Sequence, residues 1–135
     1  LMFKKVEKFK DYLSICNSAP SEVLGTIALN NMDKFVIPNM DKIRFNISLF
    51  SEFHKINSRL IDFEEPLSGS TAFIRLKINE PASVFAEKLV KSTGIMLLPS
   101  ETFEYGKCHA RIGFGRKNMP EMLSVFGHYI RERYF

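Results

Sequence analysis

Tryptophan is absent from this chain, and cysteine occurs only twice. Two cysteines are too few for a disulfide-stapled scaffold, and Cys16 and Cys108 show no metal-type spacing. They read as reduced thiols of a cytosolic, cytoplasmic protein. No apolar run approaches the ~20 residues that span a bilayer, so no membrane partner is expected. The opening L-M-F-K-K-V-E-K-F-K has no apolar segment after its charges, which excludes a secretory signal and reads like a chain entered in the middle. Glycine-rich phosphate loops, a P-loop and any Ser/His/Asp grouping are missing, as are repeats and low-complexity tracts. The formal charge of +4 permits weak attraction to polyanions. The basic residues are nevertheless spread out. Only Lys4, Lys5, Lys8 and Lys10 cluster, as a solvated helix face would, and no nucleic-acid partner is expected.

What is present suits one ordinary domain. At 135 residues and 45% apolar content, with thirteen phenylalanines, the chain can bury a real core. Phe3, Val6, Phe9 and Leu13 predict an amphipathic helix over residues 2–15. Ser18 is the expected N-cap of a second helix, with Pro20 in its first turn and Glu22 near its positive dipole end. That helix should reach the Asp33 region, and Pro38 should kink or end the helix there. A stripe of Ile43, Ile47, Phe50 and His54 follows, with His54 a boundary residue because nothing nearby completes a metal site.

From Ile61 the pattern changes. Residues 64–70 read as a turn or loop. The strand after them should point Ala72, Ile74, Leu76 and Ile78 one way, and Phe73, Arg75 and Lys77 the other. Asn79 is the expected cap of a helix burying Ala82, Phe85, Ala86, Leu89 and Val90, and Gly94 its stop. Residues 95–98 predict a short apolar strand. A loop over 99–107 leads to a strand in which Ala110, Ile112 and Phe114 oppose His109, Arg111 and Gly113. Asn118 to Glu121 reads as a capping box for a last helix burying Met122, Val125, Phe126, Tyr129 and Ile130. The division expected is a helical segment, 1–40, and a small α/β (α+β) domain, 41–135, with helices packed on a small sheet.

Arg111 stands out chemically. A guanidinium matches a carboxylate bidentately and stays charged at any working pH. Gly113 and Gly115 leave room beside it for a ligand or a second backbone. The competing reading makes Arg111 an ion-pair partner of Glu101 or Glu104. His109, on the same face, reads as a proton carrier or as an exposed imidazole. Arg116 reads as a surface or capping cation. Glu64 and Glu65 are not a working carboxylate pair, since neighbours on an extended chain point apart.

Three segments carry a family resemblance. Asp11–Glu22, D-Y-L-S-I-C-N-S-A-P-S-E, resembles the stretch following the cofactor-binding region in one branch of the class I/II aminotransferases. Residues 66–73, P-L-S-G-S-T-A-F, are similar to that branch's P-x-G-G-x-x-x-F, with Ser68 where glycine is common. Gly94–Arg116 matches G-V-x-x-x-P-G-x-x-F…R-I-G-F-G-R, with Ser100 at the usual glycine and with Phe103 and Arg111 in place. The resemblance implies the C-terminal small domain of a homodimeric pyridoxal-phosphate enzyme with an aspartate-aminotransferase-like fold. It implies that Arg111 binds the substrate α-carboxylate, and that Asn17 and Ser18 lie near the active-site entrance. The amino-acid and 2-oxo-acid substrates would be those of the full enzyme. The family's Schiff-base lysine sits in an S-x-x-K-type motif, and no lysine here has that setting. The chain alone is therefore expected to be inactive and to hold no pyridoxal 5'-phosphate covalently. A lyase, decarboxylase or synthase on the same scaffold, and a free-standing binding domain, are the alternatives. The first two helices, lacking a large domain to pack on, should associate with a second copy or swap between chains.

Overall fold

The computed structural model describes residues 2–14 and 16–134. Packing divides the chain into two units, Leu1–Pro38 and Asn39–Phe135. In the first, helix α1 (Met2–Leu13) is amphipathic as its spacing predicts, yet none of its residues is buried. Helix α2 (Ala19–Asn30) starts where expected. Ser18 occupies the cap position and its carbonyl accepts from the Glu22 N–H, but its hydroxyl makes no capping bond.

Helix α3 (Met32–Asn57) contains Pro38 and does not end there. An interior proline forfeits one backbone hydrogen bond and costs about 3 kcal/mol. Beyond it Ile47 and Phe50 are held in the core of the second unit, so the helix is carried on by tertiary packing. The proline coincides with the division between units instead of a helix end.

The second unit is built on a four-stranded antiparallel sheet. Its strands are β1 (Ile61–Asp62), β2 (Thr71–Leu76), β3 (Leu98–Pro99) and β4 (His109–Gly113), in the order β1-β2-β4-β3. Period-two alternation sends Ile74, Leu76, Ala110 and Ile112 into one core, shared with α3, α4 (Ala82–Thr93) and α5 (Met119–Tyr134). Phenylalanines fill the layer between helices and sheet. Phe50 meets Phe63 edge-on at 4.8 Å and Phe114 at 5.9 Å, and Phe53 stacks on Phe126 at 5.4 Å. The architecture is the expected one, a small sheet with packed helices.

Several local expectations shift. Asn79 does not cap α4. Pro81 holds that position, and the first-turn N–H of Ser83 donates to the Glu101 carboxylate at 3.1 Å, joined by the Ser83 hydroxyl at 2.9 Å. A cap from another segment thus replaces the local one, satisfying the same orphan donors. Gly94 ends α4 in the left-handed region, φ 76°, as its position predicts. Of the apolar run 95–98 only Leu98 pairs, together with Pro99. Leu97 is buried and Ile95 packs against the core without joining the ladder. Helix α5 buries Leu123, which the periodicity missed, while Val125 is partly exposed.

Two polar ties fix the frame. Asn46 on α3, 1% exposed, donates from Nδ2 to the carbonyls of Phe114 and Arg116, each at 2.7 Å. Glu80 accepts from the Tyr134 hydroxyl at 2.5 Å and from Lys88 Nζ, joining the end of α5 to the start of α4. Lys88, then Tyr134, hold the Glu80 carboxyl below its ordinary range, and burial followed by Glu80 pushes the Tyr134 hydroxyl up.

Candidate functional site

Strand β4 lies between two partners, so Arg111 is held from both sides. Its Cα pairs with Phe73 on β2 and with Leu98 on β3. Alternation buries Ala110 and Ile112 and leaves Arg111 exposed on the face that carries Thr71, Phe73 and Arg75. A side chain rooted in an internal strand starts from a fixed position, which suits recognition better than one on a loop.

The guanidinium carbon lies 5.4 Å from the centroid of the Phe103 ring. Phe103 comes from the 3-10 turn Ser100–Phe103 that follows β3. Among the described residues Arg111 makes no ion pair, with Glu101, Glu104 or any other acid. Glu101 is committed to Ser83. Burial works to raise its carboxyl, but the hydrogen bonds from its own backbone N–H and from Ser83 outweigh that and set it below the ordinary range. Around Gly113 and Gly115 the space is open: a Cβ at either would meet no protein atom within 4 Å.

Arg111 borders two cavities. One, of about 460 Å³, is lined by Thr71, Ala72, Phe73, Phe103, Tyr105 and Arg111. The other, of about 840 Å³, runs between the end of β4 and α5 and includes Arg116, Asn118, Met119 and Met122. Neither lining contains a lysine, a histidine or an acid. Among the described residues no three His, Cys, Asp or Glu side chains gather into a metal-binding group. Among the described residues no helix is long and apolar enough to cross a membrane.

His109 stacks on Phe73 with ring centroids 5.2 Å apart and planes 5° from parallel, and Tyr105 meets it edge-on at 5.3 Å. It has no polar side-chain partner among the described residues, so its packing is aromatic. His54 is half-buried against Phe63 at the edge of the core, as a boundary residue would be. Asn17 and Ser18 are exposed in the link between α1 and α2, in the other packing unit. Sequence reasoning missed Tyr105 and Asn46. Rings at 103, 105 and 109 recur two or four positions apart just before Arg111, a signal that was present; Phe103 meets the guanidinium, while Tyr105 and His109 pack on Phe73. Asn46 gave none, because its acceptors lie 68 and 70 residues away.

No family model matches the chain. Over 113 residues it is 25% identical to capreomycidine synthase of Streptomyces vinaceus, a match covering 84% of this chain and 29% of that protein. Among solved structures it resembles a PLP-dependent aminotransferase from Streptococcus suis, with a TM-score of 0.81 at 20% identity over 93% of this chain and 34% of the other. It also resembles the PLP-dependent cyclase OrfR, at 0.82 and 19% over 93% and 35%. An archaeal alanine:glyoxylate aminotransferase gives 0.80 and 19% over 97% and 35%. The chain thus spans about a third of the length of the proteins it matches, and it has their aspartate-aminotransferase-like fold.

Proposed function

From a chain that shares its fold with a third of a PLP-dependent aminotransferase, we propose that this is the C-terminal part of such an enzyme. In this reading residues 1–40 close the large domain and link it to residues 41–135, the small domain that moves over the substrate. Arg111 binds the substrate carboxylate, and Asn17 and Ser18 lie near the entrance to the site. The full enzyme transfers an amino group between an amino acid and a 2-oxo acid, as a homodimer in the cytoplasm. The observation that carries the proposal is Arg111 itself: an exposed guanidinium on an internal strand, without an acid partner among the described residues, at the mouth of open space.

Pyridoxal phosphate, when bound, supplies the electron sink for amino-group chemistry. The residues near Arg111 do not fit it, since neither cavity offers a lysine to carry it. The cofactor belongs to the longer protein, and the chain alone is inactive in this reading. What these residues contribute is orientation: a bidentate guanidinium fixes the carboxylate, and with it the Cα to be deprotonated.

The test is kinetic. In the full-length enzyme, Arg111→Met should lower kcat/KM about a hundredfold, mainly through KM for the amino acid. An unchanged KM and kcat/KM would sink the assignment. A second reading, a synthase or cyclase on the same scaffold, is favoured by the similarity to capreomycidine synthase and to OrfR. Product analysis separates the two. A transaminase converts an added 2-oxo acid to its amino acid, whereas a cyclase turns over without one.

A further inference from the structure

Three aromatic side chains on the uncovered face of the sheet take no part in the hydrophobic core. Phe73 is 40% exposed, Phe103 45% and Tyr105 59%. They are nonetheless packed on one another. Phe73 meets Phe103 edge-on at 6.0 Å and Tyr105 at 5.4 Å, and His109 stacks on Phe73. Single exposed rings are ordinary. Four rings packed on one another, one of them against a guanidinium that has no acid partner among the described residues, mark a surface shaped for a ligand.

We infer that the site at Arg111 selects carboxylates whose remainder is a planar or bulky apolar group, so that the substrate is an aromatic amino acid or its 2-oxo acid. The inference rests on the assignment of Arg111 as the carboxylate clamp. Beside Arg111, the cavity of about 460 Å³ is walled by Phe73, Phe103 and Tyr105, with no second charged group in its lining. A carboxylate on the guanidinium therefore delivers the rest of its molecule to the rings. A short aliphatic acid leaves those rings wet. A phenyl group covers them and adds edge-to-face contacts. A second carboxylate finds no cation in this cavity. It would have to turn to the larger one, where Arg116 lies.

The experiment is an NMR titration of the uniformly ¹⁵N-labelled chain with 3-phenylpropionate, propionate and glutarate. It follows Arg111 Nε–H and the amides of Phe73 and Tyr105. The expected result is about tenfold tighter binding of 3-phenylpropionate than of propionate, from burial of the ring. Phe73→Leu should pull that preference below about threefold. Tyr105→Ala, in an exposed loop and so independent of the folding of β2, should do the same. Equal affinity for the two monocarboxylates, or tightest binding of glutarate, overturns the inference and leaves the clamp standing. Failure of all three acids to bind, or binding unaffected by Arg111→Met, overturns the clamp and the inference with it.

Discussion

Asn46 Nδ2 lies 2.7 Å from the carbonyl oxygen of Phe114, and the same amide nitrogen reaches the Arg116 carbonyl at 2.7 Å. One buried side chain on α3 thereby satisfies two backbone acceptors just past β4, the strand that carries Arg111. Asn46→Leu leaves both carbonyls without this donor, and a buried unsatisfied acceptor costs about 1–3 kcal/mol. Urea denaturation should show a loss of about 2–4 kcal/mol with an unchanged m-value.

Arg111 offers the opposite case. It has no ion pair among the described residues, so Arg111→Met should change stability by less than about 0.5 kcal/mol. Thermal unfolding of the two chains should superimpose. A marked drop in Tm would show that the arginine serves the fold.

Glu101 acts on α4 from outside the helix, through the N–H and hydroxyl of Ser83. Glu101→Ala should cost about 1 kcal/mol, the usual effect of losing a cap. Hydrogen exchange should place the gain in opening at the first turn of α4.

The Glu80 carboxyl is held below its ordinary value of 4.5 by Lys88 and then Tyr134. A depressed acid contributes stability that is present above the unfolded value and is lost as pH falls through the folded one. Glu80→Gln should therefore be less stable than the parent at pH 7, by about 1 kcal/mol. The difference should shrink as pH falls below 4.5, and stability curves at several acid pH values test it.

Helices α1 and α2 have no buried residue, and Phe3, Phe9, Val23 and Leu24 are all exposed. Burying these faces between copies would remove apolar surface from water. Sedimentation should show a dimer or larger oligomer that dissociates on Phe9→Glu. A monodisperse monomer at high concentration would contradict this.

The period-two face of β4, the stripe through Ile47 and Phe50 and the stop at Gly94 were all legible as local patterns. They follow from side-chain geometry along one element, and neighbouring residues state it fully. The helix passing through Pro38 was not legible, because its continuation depends on packing far along the chain. Nor was the cap of α4, where the choice of Glu101 over Asn79 depends on which carboxylate the fold delivers to Ser83.

The sequence by itself determined that Arg111 faces away from the core, since alternation with Ala110 and Ile112 leaves no other choice. Whether that guanidinium would be spent on a neighbouring acid was decided only by tertiary structure. Glu101 is drawn to the start of α4 and Phe103 moves under the arginine. Both outcomes arise from how the turn after β3 packs against elements distant in sequence, where no local pattern reaches.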